Sequence, residues 1–427
     1  MQPPSRLSRR LGTFDAVVIG LGSMIGAGVF AAIGPAAQAA GGGLLIGLAV
    51  AAAVAFCNAT SSAQLAARYP ASGGTYVYGR ERLGHLWGFL AGWGFVIGKT
   101  ASCAAMALTF GTYADPELAR PLGVAAVVAL TGVNLLGVQK TAWLTRVIVA
   151  VVLAALAVVV LAAVTADAST ANIGPLTAGG AGGILESAAL LFFAFAGYAR
   201  IATLGEEVRD PARTIPRAIP LAFAITLAVY TAVAVASLVA VGPDRLAAAA
   251  APLTAVVEAG TLGWALPIVR VGAAIASLGV LLSLLVGVSR TTFAMAGEGD
   301  LPRWLDAVHP SRRVPHRAEL AVAAVVVAVV VTVDVRGAIG FSAFAVLFYY
   351  AVANASAWTL GAEDRRWPRT LTVAGIVGCV GLGAALPATS VIWGSALLLT
   401  GAAVWLVRRR RGGDTPSEQL RVPRRPG

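Results

Sequence analysis

The chain has 427 residues, of which 58% are hydrophobic and 12% are charged, and its mean hydropathy is +0.81. About a quarter of the residues of a soluble globular domain are charged, so the composition excludes a soluble domain. The apolar residues form runs long enough to cross a hydrocarbon core of about 30 Å, which indicates a polytopic membrane protein.

Turn signals such as ADPELARP at 114–121, EVRDPARTIP at 207–216 and EDRRWPR at 363–369 divide the chain into apolar segments. These segments predict an all-α polytopic membrane protein with about twelve transmembrane helices. The predicted spans are 14–39, 43–67, 86–113, 121–138, 142–165, 184–205, 217–241, 265–289, 318–334, 337–360, 370–387 and 390–407.

The basic residues orient these spans. With the N-terminus in the cytoplasm, about 26 of the 32 lysines and arginines fall in cytoplasmic segments, as the positive-inside rule requires. Four face outward, namely Arg120, Arg245, Arg270 and Arg336. The distribution accounts for most of the net charge of +12 without a nucleic-acid partner. We predict a multi-pass protein of the cytoplasmic membrane, with an N-terminal segment 1–13 and a basic tail 408–427 in the cytoplasm.

The first span contains GLGSMIGAGVF, Gly20 to Phe30, and its glycines weaken a helix in mid-membrane. The sixth span is similarly interrupted near Phe195, Ala196 and Gly197. Glycine-interrupted spans at corresponding positions of two halves are typical of secondary transporters. The pattern predicts a five-plus-five inverted repeat with broken helices 1 and 6, formed by 14–165 and 184–360, with peripheral helices 11 and 12 in 370–407.

A broken helix leaves peptide groups without partners in lipid, which is costly unless something binds them. Free amides near Ile25 to Gly28 favour a carboxylate. Free carbonyls near Ser23, Met24, Phe195 and Ala196 favour an ammonium group, so the two breaks together suit a zwitterion. Close helix packing remains the alternative for Gly22 and Gly26. A dinucleotide site is excluded because the glycine spacing and the βαβ context are wrong.

Four stretches, in this order, resemble the amino acid–polyamine–organocation (APC) superfamily, and in particular bacterial permeases similar to cationic amino acid transporters. They are GLGSMIGAGVF (20–30), RYPASGGTYVYGRERLG (68–84), FAFAGYARIATLGEEVRDPARTIPRAI (193–219) and SRTTFAMAGEGDLPRWLDAVHP (289–310). The resemblance implies alternating access around an amino acid held between helices 1 and 6.

Carried over by position, the resemblance places Ser23, Met24, Ile25, Gly26, Ala27 and Gly28 around the substrate carboxylate. Phe195, Ala196, Gly197 and Tyr198 would frame its amino group and side chain, with an aromatic ring as a possible gate. For Phe195 and Tyr198, ordinary helix packing is the alternative.

Lys99 lies near the middle of helix 3, and ionisable residues at that depth are usually functional. Some relatives carry a helix-5 lysine that replaces a sodium ion, but Val152 stands at the nearest position here. We hypothesise that Lys99 is a proton carrier or a fixed counter-cation at the vacated ion site. The alternatives are that its ammonium group snorkels to the interface or bonds carbonyls structurally.

Arg200 follows the second break by one turn and cannot carry protons, because a guanidinium stays charged. It is expected to pair with Glu206 or Glu207, either as an inner gate or as a static salt bridge, or else to meet an acidic substrate. Glu186 is expected to be a solvated acid at the start of helix 6. No mid-membrane carboxylate is evident for a cationic side chain.

The sequence therefore predicts a secondary active transporter that moves an amino acid, by proton-coupled and sodium-independent symport. The alternative is an amino acid or amine exchanger, and a non-transporting sensor is a more distant one. The expected partners are the substrate, protons and the lipid bilayer. No catalytic residues, cofactor or metal site are predicted, and no feature specifies an oligomeric state.

Overall fold

The computed structural model of the chain describes residues 11–69, 73–137, 142–202, 204 and 208–411. These residues form an all-α protein, in which an isolated bridge between Leu11 and Val208 is the one pairing of extended backbone. Eight of its helical stretches are long and apolar enough to cross a membrane, and three more apolar helices are shorter. The predicted fold class, an all-α polytopic membrane protein, is confirmed.

The first five predicted spans correspond to seven helices, because the first span is divided and one further helix follows the second span. The helices are α1 (Thr13–Met24), α2 (Ala27–Ala40), α3 (Leu44–Arg68), α4 (Thr75–Leu83), α5 (His85–Ala114), α6 (Ala119–Leu135) and α7 (Ala142–Thr165).

The remaining spans correspond to nine helices, again with one division and one addition. They are α8 (Gly180–Phe195), α9 (Ala199–Ala202), α10 (Pro211–Ala248), α11 (Pro252–Ala259), α12 (Leu266–Gly297), α13 (His316–Thr332), α14 (Val335–Trp358), α15 (Arg369–Ala385) and α16 (Ala388–Arg411).

The structure differs from the predicted spans at four helices. Helices α4 and α11 were not predicted, because both are much shorter than a membrane span. Helix α10 continues past the predicted end at 241 with a kink at Gly242, where φ is 73°. Helix α12 continues to Gly297, and Met295 and Ala296 in this extension are buried. These differences lengthen or add helices and leave the order of the spans unchanged.

Helix α5 is the central packing element, since α12, α14, α4 and α6 all pack against it. Most buried apolar side chains form one continuous core. A second, smaller apolar cluster contains Tyr76, Phe89, Leu90 and Met295. It lies at the end of the bundle where α5 and α16 meet α4 and the end of α12. We call this end, which also holds the start of α1, the basic face.

Candidate functional site

The first span is broken where the sequence predicts. Helix α1 ends at Met24 and α2 begins at Ala27, so that Ile25 and Gly26 link the two halves. Ile25 has φ −77° and ψ 35°, outside the helical region, and its amide still donates to the carbonyl of Leu21 at 2.7 Å. The Ile25 amide is therefore not free.

The start of α2 is the free donor end of the break. The first amides of a helix lack carbonyl partners within the helix. The N-cap of α2 is Gly26, which has no side chain to cap them. The amides of Ala27, Gly28 and Val29 therefore present hydrogen-bond donors and the positive end of the α2 dipole at mid-span.

The sixth span tightens instead of unwinding. After α8 ends at Phe195, residues Ala196–Tyr198 form a 3₁₀ turn, and α9 follows. Ala196 has φ −62° and ψ −3°, so the backbone stays close to helical. A 3₁₀ turn keeps most peptide groups bonded through i→i+3 pairs, which explains why this interruption is milder than the one in α1–α2.

The two interruptions are in direct contact. A Cβ atom on Gly197 would overlap the backbone carbonyl of Ser23, and one on Gly28 would lie 2.7 Å from the Cα atom of Ala194. Both neighbours are backbone atoms that cannot rotate away. Glycine is therefore required at Gly197 and Gly28 by the close approach of two chains.

Two tyrosines bond the carbonyls at the interruptions. The Tyr230 hydroxyl, from α10, donates to the carbonyl of Met24 and lies 3.0 Å from that of Ala194. The Tyr350 hydroxyl, from α14, donates to the carbonyl of Ala196 at 3.0 Å. The sequence analysis missed both residues. A tyrosine within an apolar span could have indicated them, because a buried tyrosine hydroxyl needs a hydrogen-bond partner.

Aromatic rings surround the same place. The Phe195 ring lies 5.3 Å from that of Phe223 and 5.1 Å from that of Tyr230, and the Tyr198 ring stacks on Tyr350 at 5.1 Å. Phe195 and Tyr198 are fully buried. Their rings wall the interruption of the sixth span, which fits both ordinary packing and a role in closing over a ligand.

Lys99 lies within α5 and is 9% exposed. Among the residues that the structure describes, no carboxylate forms an ion pair with it. Arg200 is on the surface of α9. The predicted partners of Arg200, Glu206 and Glu207, lie outside the described residues.

At the end opposite the basic face, one guanidinium joins three spans. Arg336, in the first turn of α14, lies 2.5 Å from Glu186 on α8 and 2.5 Å from the side-chain oxygen of Gln38 on α2. The expectation that Glu186 is a solvated acid is wrong, since its side chain is 23% exposed and ion-paired. Sequence reasoning missed this pair because its members are 150 residues apart.

On the basic face, Asp15 at the start of α1 forms an ion pair with Arg146 of α7 at 2.5 Å. The backbone amide of Arg209 donates to the carbonyl of Leu11 at 3.0 Å, which ties the chain before α1 to the segment after α9. The halves of the broken spans are thus fastened at both ends of the bundle.

A bundle of apolar spans that encloses a broken helix packed on a tightened turn defines a polytopic membrane transporter. The sequence profile of the amino acid permease family matches residues 11–408. The chain therefore belongs to the amino acid permease family of the APC superfamily, as the resemblance implied.

Relatives with transporter names cover most of the chain. An uncharacterised transporter of Mycobacterium tuberculosis is 63% identical over 420 residues, which is 97% of this chain and 95% of the relative. A branched-chain amino acid permease of Bacillus subtilis is 28% identical over 73% of this chain and 72% of its own length. Human cationic amino acid transporter 4 is 28% identical over 82% of this chain and 59% of its own length. Together with the family, they support an amino acid transporter in a membrane.

Proposed function

We propose that the protein binds a zwitterionic amino acid where its first and sixth spans are interrupted and carries it across the cytoplasmic membrane by alternating access. The observation that carries this proposal is the contact of Gly197 with the backbone at Ser23, which brings two peptide segments together at mid-span. A site made of main-chain atoms recognises the groups that all amino acids share.

The α2 end of the break suits the substrate carboxylate. The amides of Ala27, Gly28 and Val29 supply donors and the helix dipole. The carbonyls of Ser23, Met24, Phe195 and Ala196 suit the ammonium group. Although the carbonyls of Met24 and Ala196 already accept from tyrosines, a carbonyl oxygen has a second lone pair.

The ion pairs at the two ends of the bundle support alternating access. The Arg336–Glu186 contact holds the outer halves α2 and α8 against α14, and the Asp15–Arg146 contact holds α1 against α7. Each contact has to separate for the site to open on that side. We infer that the two ends open in turn, within a five-plus-five inverted repeat whose termini lie in the cytoplasm.

We assign proton coupling to Lys99, and we propose that transport needs no sodium. Lys99 is buried within α5, no carboxylate among the described residues pairs with it, and ionisable side chains at that depth of a membrane are usually functional. Arg200 with Glu206 or Glu207 remains a proposed gating contact. The second candidate is amino acid or amine exchange, which uses the same site without a proton, and a non-transporting sensor ranks below it.

Uptake of radiolabelled neutral, acidic and cationic amino acids into proteoliposomes tests the function. Accumulation that requires an inward proton gradient and no sodium supports symport. Flux that appears only with unlabelled amino acid inside supports exchange. Binding without flux under any of these conditions would refute transport.

A further inference from the structure

The small apolar cluster on the basic face carries a polar network that the proposed transport site does not use. Its central group is Asp300, in the loop after α12, which is only 6% exposed. The Tyr76 hydroxyl, from α4, donates to Oδ2 of Asp300 at 2.7 Å. The Nε2 atom of His85, the first residue of α5, lies 3.5 Å from Oδ1.

The two neighbours hold Asp300 as a buried carboxylate. Burial raises the pKa of Asp300, the bond from Tyr76 and the charge of Arg80 oppose that rise, and the charge of Glu298 adds to it. Burial and the Asp300 charge raise the pKa of Tyr76, so its hydroxyl keeps its proton and acts as the donor. Any positive charge added beside this carboxylate stabilises its ionised form.

His85 connects this carboxylate to the last helix. The indole Nε1 of Trp405, on α16, donates to Nδ1 of His85 at 2.8 Å. An indole N–H is a donor only, so Nδ1 must carry its lone pair. The imidazole proton is then on Nε2, toward Asp300, and the ring is neutral. Since the His85 side chain is 44% exposed, protons from solution reach it.

The remaining charges around His85 come from α4, the loop after α12 and α16. Arg80, on α4, pairs with Glu298 at 2.9 Å and lies 3.3 Å from the Tyr76 hydroxyl. On α16, Arg408 donates to the carbonyl of Gly299 at 2.8 Å, and the Arg409 guanidinium lies over the Trp405 ring at 5.3 Å. These arginines keep their charge, whereas an imidazole is the side chain that ordinarily changes charge near neutrality.

We propose that His85 is a pH-responsive latch between the transport core and α16. In the neutral ring, Nδ1 holds Trp405 and Nε2 faces Asp300. A second proton on Nδ1 would oppose the indole N–H, so protonation breaks the bond to Trp405 and forms an ion pair with Asp300. Acid on the basic face therefore releases the end of α16 and tightens the start of α5 on the loop after α12.

This exchange of partners acts on two helices that line the transport site. Helix α5 carries Lys99, and α12 packs Val280 against Gly26 at the break. A tighter junction between these helices on the basic face restrains the motions that open that face. We expect transport to slow as the pH on the basic face falls. The expected effect on transport rests on the proposed function, whereas the exchange of partners at His85 does not.

Histidine C2–H exchange followed by mass spectrometry tests the latch on the purified full chain. The midpoint of the His85 exchange curve should rise by about 0.5–1 pH unit in W405F, because a neutral hydrogen bond of about 1 kcal/mol to the unprotonated ring is lost. It should fall by about 1 unit or more in D300N, because the ion pair is lost. The curves of His309, in the loop before α13, and His316, the first residue of α13, should not move, since these two rings contact each other.

Matched controls separate the network from general damage. Trp393 lies on the same helix as Trp405 but is 68% exposed, so W393F should leave the His85 curve unchanged. Backbone amide exchange over 402–411, corrected for the intrinsic pH dependence of the exchange rate, should rise as the pH falls in the wild type. In H85Q, whose amide does not titrate, it should stay flat.

Several outcomes would overturn the latch. A shift of the His85 midpoint in the same direction in W405F and D300N, or a shift in neither variant, would show that the partners do not act as described. A pH-dependent release of 402–411 that persists in H85Q would assign the response to Asp300 or another group. If the exchange results hold but transport is insensitive to pH on the basic face, the latch stands and its link to the proposed function fails.

Discussion

At Gly197, the geometry of the candidate site leaves no room for a side chain. Its missing Cβ lets the tightened turn of the sixth span rest on the carbonyl of Ser23 and the amide of Met24. A methyl group would have to displace backbone atoms of the first span. The constraint comes from approach and not from dihedral angles, since Gly197 lies in a right-handed 3₁₀ turn.

We expect G197A to lose transport by more than about tenfold, because separating the two backbones costs about 1–3 kcal/mol where the substrate binds. Initial rates of uptake in proteoliposomes, normalised to folded protein, measure the loss. The matched control is G287A, since Gly287 is also helical but has open space at its Cβ position. G287A should transport normally, and a G197A protein as active as G287A would contradict the proposed site.

Lys99 has two candidate roles in coupling, as a proton carrier or as a fixed counter-cation. A proton carrier needs an amine that can lose its charge, whereas a fixed counter-cation needs only the charge. We expect K99M to abolish the dependence of uptake on a proton gradient. K99R separates the two roles, because arginine keeps its charge at all relevant pH values.

Loss of gradient-driven uptake in K99R indicates a proton carrier, and retained uptake indicates a counter-cation. Both variants are measured with and without an inward pH gradient, with exchange flux as the control for folding. Unchanged pH dependence in K99M would refute coupling through this residue.

At the scale of helices, the two interrupted spans differ in a way that the sequence explains only in part. Glycines predicted both interruptions. The first opens between Met24 and Ala27, while the sixth only tightens, and Tyr350 from α14 bonds the carbonyl of Ala196 there. That contact joins residues 154 positions apart, so no local sequence pattern predicts it.

Weakening the ion pair at one end of the bundle should have the opposite effect from weakening the pair at the other end. E186Q weakens the hold of Arg336 on α8, so it should favour opening at that end. D15N weakens the hold of Arg146 on α1, so it should favour opening at the basic face. Since partly exposed pairs contribute about 1 kcal/mol or less, we expect shifts of a few-fold in each population.

Buried reporters on each side measure these shifts. Ala338, two residues after Arg336, and Ala16, beside Asp15, are both fully buried, and cysteines placed there react with a thiol reagent only when that end opens. The native Cys57, Cys103 and Cys379 are buried, which keeps the background low. E186Q should speed labelling of A338C and slow that of A16C, and D15N should do the reverse. Labelling that changes equally at both reporters would mean general loosening.

For the whole molecule, the sequence predicted the all-α fold class and the order of the apolar helices, because long apolar runs leave few alternatives in a membrane. It did not predict α4, whose composition TYVYGRERL is too polar and too short for a span. It missed Tyr230 and Arg336 for a different reason, since each acts across helices that are distant along the chain. The interruptions of the two spans could be predicted from their glycines, whereas the side chains that contact them from other helices could not.

The orientation of the bundle is the remaining prediction at this scale, and it follows from charge. Arg312 and Arg313 lie in the exposed loop before α13, whereas the exposed segment before α8 carries no basic residue in 166–179. The positive-inside rule therefore puts the first loop in the cytoplasm and the second outside. We expect a membrane-impermeant maleimide to label T177C in intact cells and S311C only in inside-out vesicles. Because the three native cysteines are buried, labelling of the wild type should be low, and labelling of each variant reports its introduced cysteine. The reverse pattern would invert every assignment of inside and outside made for this protein, and would place the His85 network under the control of external pH.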